Sequence, residues 1–140
     1  MSNLKDVNIL VSRVLLAILF VVAGYGKIQG YDATAGYMQA MHVPAFLLPL
    51  VILLELGGGV AIILGFLTRF TAISIGIFSI LAALLFHNDF SQEMNQMMLM
   101  KDFSIAGGFF LLASLGAGKY SIDNVIKNKL KNNNKIFCLI

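Results

Sequence analysis

Apolar residues fill four long blocks of the chain, with short polar stretches between them. The first block runs from about Val7 to Gly26, broken only by Ser12 and Arg13. The second covers about Ala45 to Leu67 and the third about Phe70 to Phe86. The fourth covers about Asn95 to Ala117 and carries Lys101 and Asp102 near its start. A helix rises ~1.5 Å per residue, so ~20 residues cross the hydrocarbon core of a bilayer. These lengths predict four membrane spans at about 7–26, 45–67, 70–86 and 95–117, the third slightly short. The expected fold class is an all-α membrane protein, a four-helix transmembrane bundle.

The connections refine this picture. Thr68 and Arg69 are almost the whole link between the second and third blocks, which predicts a tight antiparallel helical hairpin. The longer link from Lys27 to Pro44 has room for a short interfacial helix over Tyr31 to His42. Its Tyr37, Met38 and Met41 are expected to face the bilayer, and Pro44 to end it. Pro49 falls in the first turns of the second span, where a missing N–H matters least. The small residues after the first block, Ala23 and Gly24, make a poor cleavage site, so the first helix is expected to be retained.

Composition agrees with a membrane location. Hydrophobic residues make up 59% of the 140 and charged residues 12%, too apolar for one small soluble core. The net charge of +3 does not point to nucleic acid, because the basic residues follow the spans. With both termini in the cytoplasm, that side holds every lysine and arginine except Lys27 and Lys101. Two units follow: a transmembrane domain over 1–120 and a basic cytoplasmic tail over 121–140 that touches anionic headgroups. The single cysteine, Cys138, excludes an internal disulfide or a CxxC pair and is misplaced for prenylation.

Candidate chemistry centres on Glu55, a lone carboxylate near the middle of the second span. An ionisable group at that depth costs ~2.5–3.5 kcal/mol on insertion scales and calls for a partner or a task. On a helix it shares a face with Gly58 and Gly59, so it is expected to point at protein rather than at lipid. Arg13, on a stripe with Ala17, Phe20, Gly24 and Lys27, is the first candidate partner. Counted from the outer ends of their helices, Arg13 lies ~21 Å deep and Glu55 ~16 Å. Lys101, on a face with Ser104 and Gly108, is the second candidate. Arg13, Glu55 and Lys101 form an expected polar core, with Gly58, Gly59 and Ser104 as neighbours of a bound quinone or substrate. The same charges can instead lock helix register.

The segments carrying these residues are RVLLAILFVVAGYGKI (Arg13 to Ile28), ELGGGVAIILGFLTR (Glu55 to Arg69) and KDFSIAGGFFLLASLGAGKYSID (Lys101 to Asp123). In these segments the chain resembles the DoxX family of small bacterial membrane proteins, over Arg13 to Asp123. Arg13, Lys27, Glu55, Arg69 and Lys101 match the family's recurrent charged positions. The resemblance implies four transmembrane helices in the bacterial inner membrane. It also implies association with membrane oxidoreductase systems, including thiosulfate:quinone oxidoreductase subunits and complexes linked to thiol and oxidative stress.

Other motifs carry less. Gly57, Gly58 and Gly59 follow no strand and fit helix packing better than phosphate binding. His42, His87, Met94 and Met97 collect on the outer side, where thioethers and imidazoles suit a soft metal, although methionine is also a flexible apolar filler. Ser104 and Ser114 are expected to bond between helices. The leading functional reading is a membrane subunit of a quinone-linked oxidoreductase, with quinone as the cofactor. Its expected partners are the lipid bilayer, a soluble or membrane redox partner and a further copy of itself. The alternatives are a small permease using Glu55 and an assembly factor without chemistry.

Overall fold

In the computed structural model, which describes residues 2–87, 89 and 91–129, the chain is helical throughout, with no strand among those residues. α1 spans Ser2–Gln29, α2 Tyr31–Ala40, α3 Leu48–Leu64, α4 Thr68–Phe86, α5 Glu93–Leu115 and α6 Ile122–Lys129. A tight helical turn over Ala45–Leu47 leads into α3, with Pro49 in the first turn of that helix. Four of these stretches are long and apolar enough to cross a membrane: Asn3–Gln29, Ala45–Leu64, Thr68–Phe86 and Glu93–Leu115. Their outward positions are apolar, among them Leu15, Leu53, Ile77 and Leu111. That arrangement suits lipid as the solvent and defines a four-helix membrane bundle.

The bundle is two close helix pairs, α1 on α3 and α4 on α5, set against each other. Small residues make the first pair. A Cβ built on Gly59 would lie 2.7 Å from Val21 Cγ2 and 3.2 Å from the Ala17 carbonyl. One on Gly24 would lie 2.7 Å from Leu56 Cγ and 3.2 Å from its backbone nitrogen. Without a hydrophobic force between helices in lipid, such close approach is how dispersion contacts accumulate. Gly59→Ala should therefore lower stability by ~1–3 kcal/mol, read as a lower melting temperature in detergent, because the Ala17 backbone cannot move aside. The two pairs meet through Phe20, Ile62, Ile75 and Phe109, with Phe20 edge-on to Phe109 at 5.4 Å.

The α3–α4 link is Gly65 to Leu67 rather than Thr68 and Arg69, since α3 stops at Leu64 and Thr68 already belongs to α4. Gly65 has φ of 73°, and the Phe66 N–H bonds back to the Ala61 carbonyl at 2.8 Å, a left-handed helix ending. The link is short, yet α3 packs more extensively on α1 than on α4.

Two sequence expectations are corrected by packing. α2 does not turn all of Tyr37, Met38 and Met41 to the bilayer: Met38 is buried with Val43 and Leu48, Met41 packs partly against them, and Tyr37, 48% exposed, stacks one face on Phe86 at 5.6 Å. The helix ends at Ala40, with His42 in a left-handed conformation at φ of 60°, before Pro44 is reached. The segment from 121 does not begin as a solvated tail either. It forms α6, held to the bundle by the buried Asp123. Cys138 and the apolar end of the tail lie outside the described residues.

Candidate functional site

At the end of the bundle away from the termini, α1, α3, α4 and α5 enclose a cavity of about 310 Å³ that α2 covers. Phe20, Phe78, Phe86 and Tyr37 contribute apolar walls. Lys27, Glu55, Lys101 and Asp102 bring charge to the same space, and His87 an imidazole.

Glu55 is only 4% exposed. The Lys27 ammonium donates to both of its carboxylate oxygens, at 2.8 and 2.7 Å. The glycine packing sets this pair: Gly24 lies against Leu56 and the Glu55 Cβ, so Glu55 sits about one turn below Lys27. A lysine stem spans that interval easily. Arg13 is 11 residues before Gly24, ~16 Å along the helix, and does not reach Glu55. The depth count failed because it took Pro44 as level with the end of α1.

His87, just past α4, faces Asp102 with Nε2 to Oδ2 at 3.7 Å. Its Nδ1 is buried without a hydrogen-bond partner among the described residues. Lys101 lines the cavity and forms no ion pair with a described residue. Outside the spans, the Asp89 carboxyl is held below the usual range by the Ser91 hydroxyl and N–H.

A second polar centre lies at the opposite end. Arg13, 1% exposed, donates to the Ala117 carbonyl and, at 2.9 Å, to the Ile63 carbonyl in the last turn of α3. There a cation meets carbonyls that the helix itself leaves free. Asp123 of α6 accepts from the Leu67 and Thr68 N–H groups at 2.7 and 2.9 Å, capping α4 from another element. Its own N–H donates to the Gly65 carbonyl at 2.8 Å. This end is a staple between four elements, with no cavity around Glu55 to serve.

The structure thus divides the expected polar core. Glu55 and Lys101 share the cavity, while Arg13 belongs to the staple. Gly58 and Gly59 do not line the cavity; Ile75 closes over the first and Val21 over the second, so both are packing residues. Ser104 is exposed and donates to the Met100 carbonyl of its own helix, and Ser114 does the same to Phe110, so neither bonds between helices. Met94 and Met97 point outward, 68% and 73% exposed, and His42 is outside the cavity that His87 lines. No cluster of three or more histidine, cysteine or acidic residues suited to a metal occurs among the described residues. Lys27 and Asp123 were missed as partners. Lys27 was on the right stripe, with Gly24 and Phe20; Asp123 carried no local signal, because its partners are some 55 residues away.

Fold and cavity together define a small four-span integral membrane protein with an ion-paired glutamate in its interior. The chain belongs to the DoxX family, whose model matches residues 8–88. It is 55% identical over 129 residues to the inner membrane protein YqjF of Escherichia coli (strain K12), covering 92% of this chain and 99% of that one. It is 31% identical to the inner membrane protein YphA of the same organism, over 85% and 90% of the two chains. A shorter likeness, 30% identity over 52% of this chain and 54% of the other, is to a Bacillus subtilis (strain 168) protein named "Putative oxidoreductase CatD". No solved structure matches the chain.

Proposed function

We propose that this DoxX protein is the membrane subunit of an oxidoreductase system in the bacterial inner membrane, and that the Glu55 cavity receives a quinone headgroup. The observation that carries this is the combination of walls and charges. Aromatic side chains flank a space into which Lys27–Glu55, His87–Asp102 and Lys101 all reach. The orphaned His87 Nδ1 fits a ligand with a carbonyl or hydroxyl oxygen. A quinone supplies paired electron and proton transfer when bound; the chain's residues supply orientation, exclusion of lipid and groups able to hold a proton. Relatives named as inner membrane proteins support the location, and the one named as an oxidoreductase supports the class. The distribution of Lys and Arg supports cytoplasmic termini, with the cavity toward the outer face. With one cysteine and no nucleotide motif in the sequence, the redox role rests on a bound quinone or a partner subunit.

The test is mass spectrometry of the protein extracted gently with its lipids and neighbours. Quinone and a redox partner should be retained, and His87→Phe should weaken quinone binding ~5-fold or more through the lost hydrogen bond. Glu55-dependent proton or solute flux in liposomes without bound quinone would establish the permease reading instead. Neither binding nor flux would leave an assembly factor.

A further inference from the structure

Between α1 and α5, at the end that holds the termini, runs a second hollow of about 400 Å³. Its walls are apolar, from Leu16, Leu111 and Leu115, with Leu16 packed over Gly108. One edge is different: Lys5, Asn8 and Ser12 descend it at helical spacing.

These three groups form a polarity gradient at a definable depth. Ile9, which packs against Gly118 just beyond the end of α5, gives a reference level. Lys5 stands ~6 Å outside that level, Asn8 about at it and Ser12 ~5 Å inside. The ladder matches the thickness of one interfacial layer, ~5–7 Å, continued into the hydrocarbon.

Ser12 is distinctive among the span serines. Ser74, Ser79, Ser104 and Ser114 each donate to the carbonyl four residues earlier, whereas Ser12 has no such bond and no other partner among the described residues. A hydroxyl at this depth has no water to bond with. Asn8 and Lys5 are likewise without partners among the described residues. The neighbouring acid forms no ion pair with Lys5 among the described residues; Asp6 accepts the Lys119 N–H at 3.2 Å.

We propose that this hollow is a binding site for one anionic glycerophospholipid, independent of the Glu55 cavity. Lys5 and Asn8 take the phosphate, Ser12 donates to an ester carbonyl, and an acyl chain lies along Leu16, Leu111 and Leu115. The apolar face of a second helix would leave the Lys5 charge and the Ser12 hydroxyl unmatched; a lipid with one anionic head and ester groups below it satisfies both.

Native mass spectrometry of the purified full-length protein, titrated with phosphatidylglycerol or phosphatidylcholine in detergent, tests this. One phosphatidylglycerol per chain should persist where phosphatidylcholine is lost. Lys5→Gln should reduce phosphatidylglycerol occupancy ~5-fold, with Lys5→Arg restoring it, and Ser12→Val should also reduce phosphatidylglycerol occupancy. Both sites are exposed in the protein, and unchanged melting temperatures would show that the variants fold. Equal retention of the two lipids would overturn the proposal. So would unchanged occupancy in Lys5→Gln, or a lipid-free dimer buried through this face.

Discussion

Lys27→Met should cost ~3–5 kcal/mol of stability, the range for breaking a buried pair, while Glu55→Gln should cost only ~1–2 kcal/mol. The asymmetry follows from position. The Lys27 side chain is 28% exposed, and the residue lies close to the end of α1, so a lysine without its partner can swing to the interface. Glu55, with a side chain 6% exposed in mid-helix, has nowhere to go and is left as an uncompensated charge. The double variant Lys27→Met with Glu55→Leu should recover most of the loss, because a buried ion pair replaced as a whole by apolar side chains is often neutral. Arg13→Met or Lys101→Met combined with Glu55→Leu should recover nothing. Detergent-solution melting temperatures of the set would decide it; recovery by Arg13 or Lys101 as large as by Lys27 would show that the pairing is wrong.

The staple at the other end carries the second large effect. Arg13→Met should cost ~3–5 kcal/mol, since it leaves the Ala117 and Ile63 carbonyls without their donor in a site almost closed to solvent. Asp123→Ala should cost ~2–3 kcal/mol, from two orphaned N–H groups at the start of α4. The two variants differ in what they release. Without Asp123, α6 loses its tie to the α3–α4 turn, so trypsin should cut near Lys119 and Lys127 sooner while the four spans stay folded. Arg13→Met should instead loosen α1 from α3 and lower the melting temperature of the whole bundle. If Asp123→Ala leaves tryptic cleavage unchanged, Asp123 does not hold α6.

These expectations explain why the two charged centres resist being read along the chain. Glu55 is conspicuous in sequence because it interrupts an apolar run, and Arg13 for the same reason. Their conspicuousness suggested that they belong together. The structure sets them at levels ~16 Å apart along α1, each with a less conspicuous partner. Lys27 sits at a span end, where lysine is ordinary, and Asp123 lies beyond the spans in a polar stretch. Neither stands out until the helices are packed.

What the sequence determined by itself was everything set by local chemistry: four apolar stretches long enough for a bilayer, an extra short helix before Pro44, and a carboxylate that must face protein. Hydrocarbon length and the cost of a bare charge are properties of one segment at a time. Tertiary structure decided the relative depth of the helices, because Gly24 and Gly59 let α1 and α3 slide to closest contact. That sliding brought Lys27 rather than Arg13 to Glu55. It also decided which face α2 buries, since Met38 finds Val43 and Leu48 only once α2 folds over the bundle. The cavity, with its Lys27–Glu55 ion pair and its His87–Asp102 contact, exists only where five helices converge, and no single segment encodes that convergence.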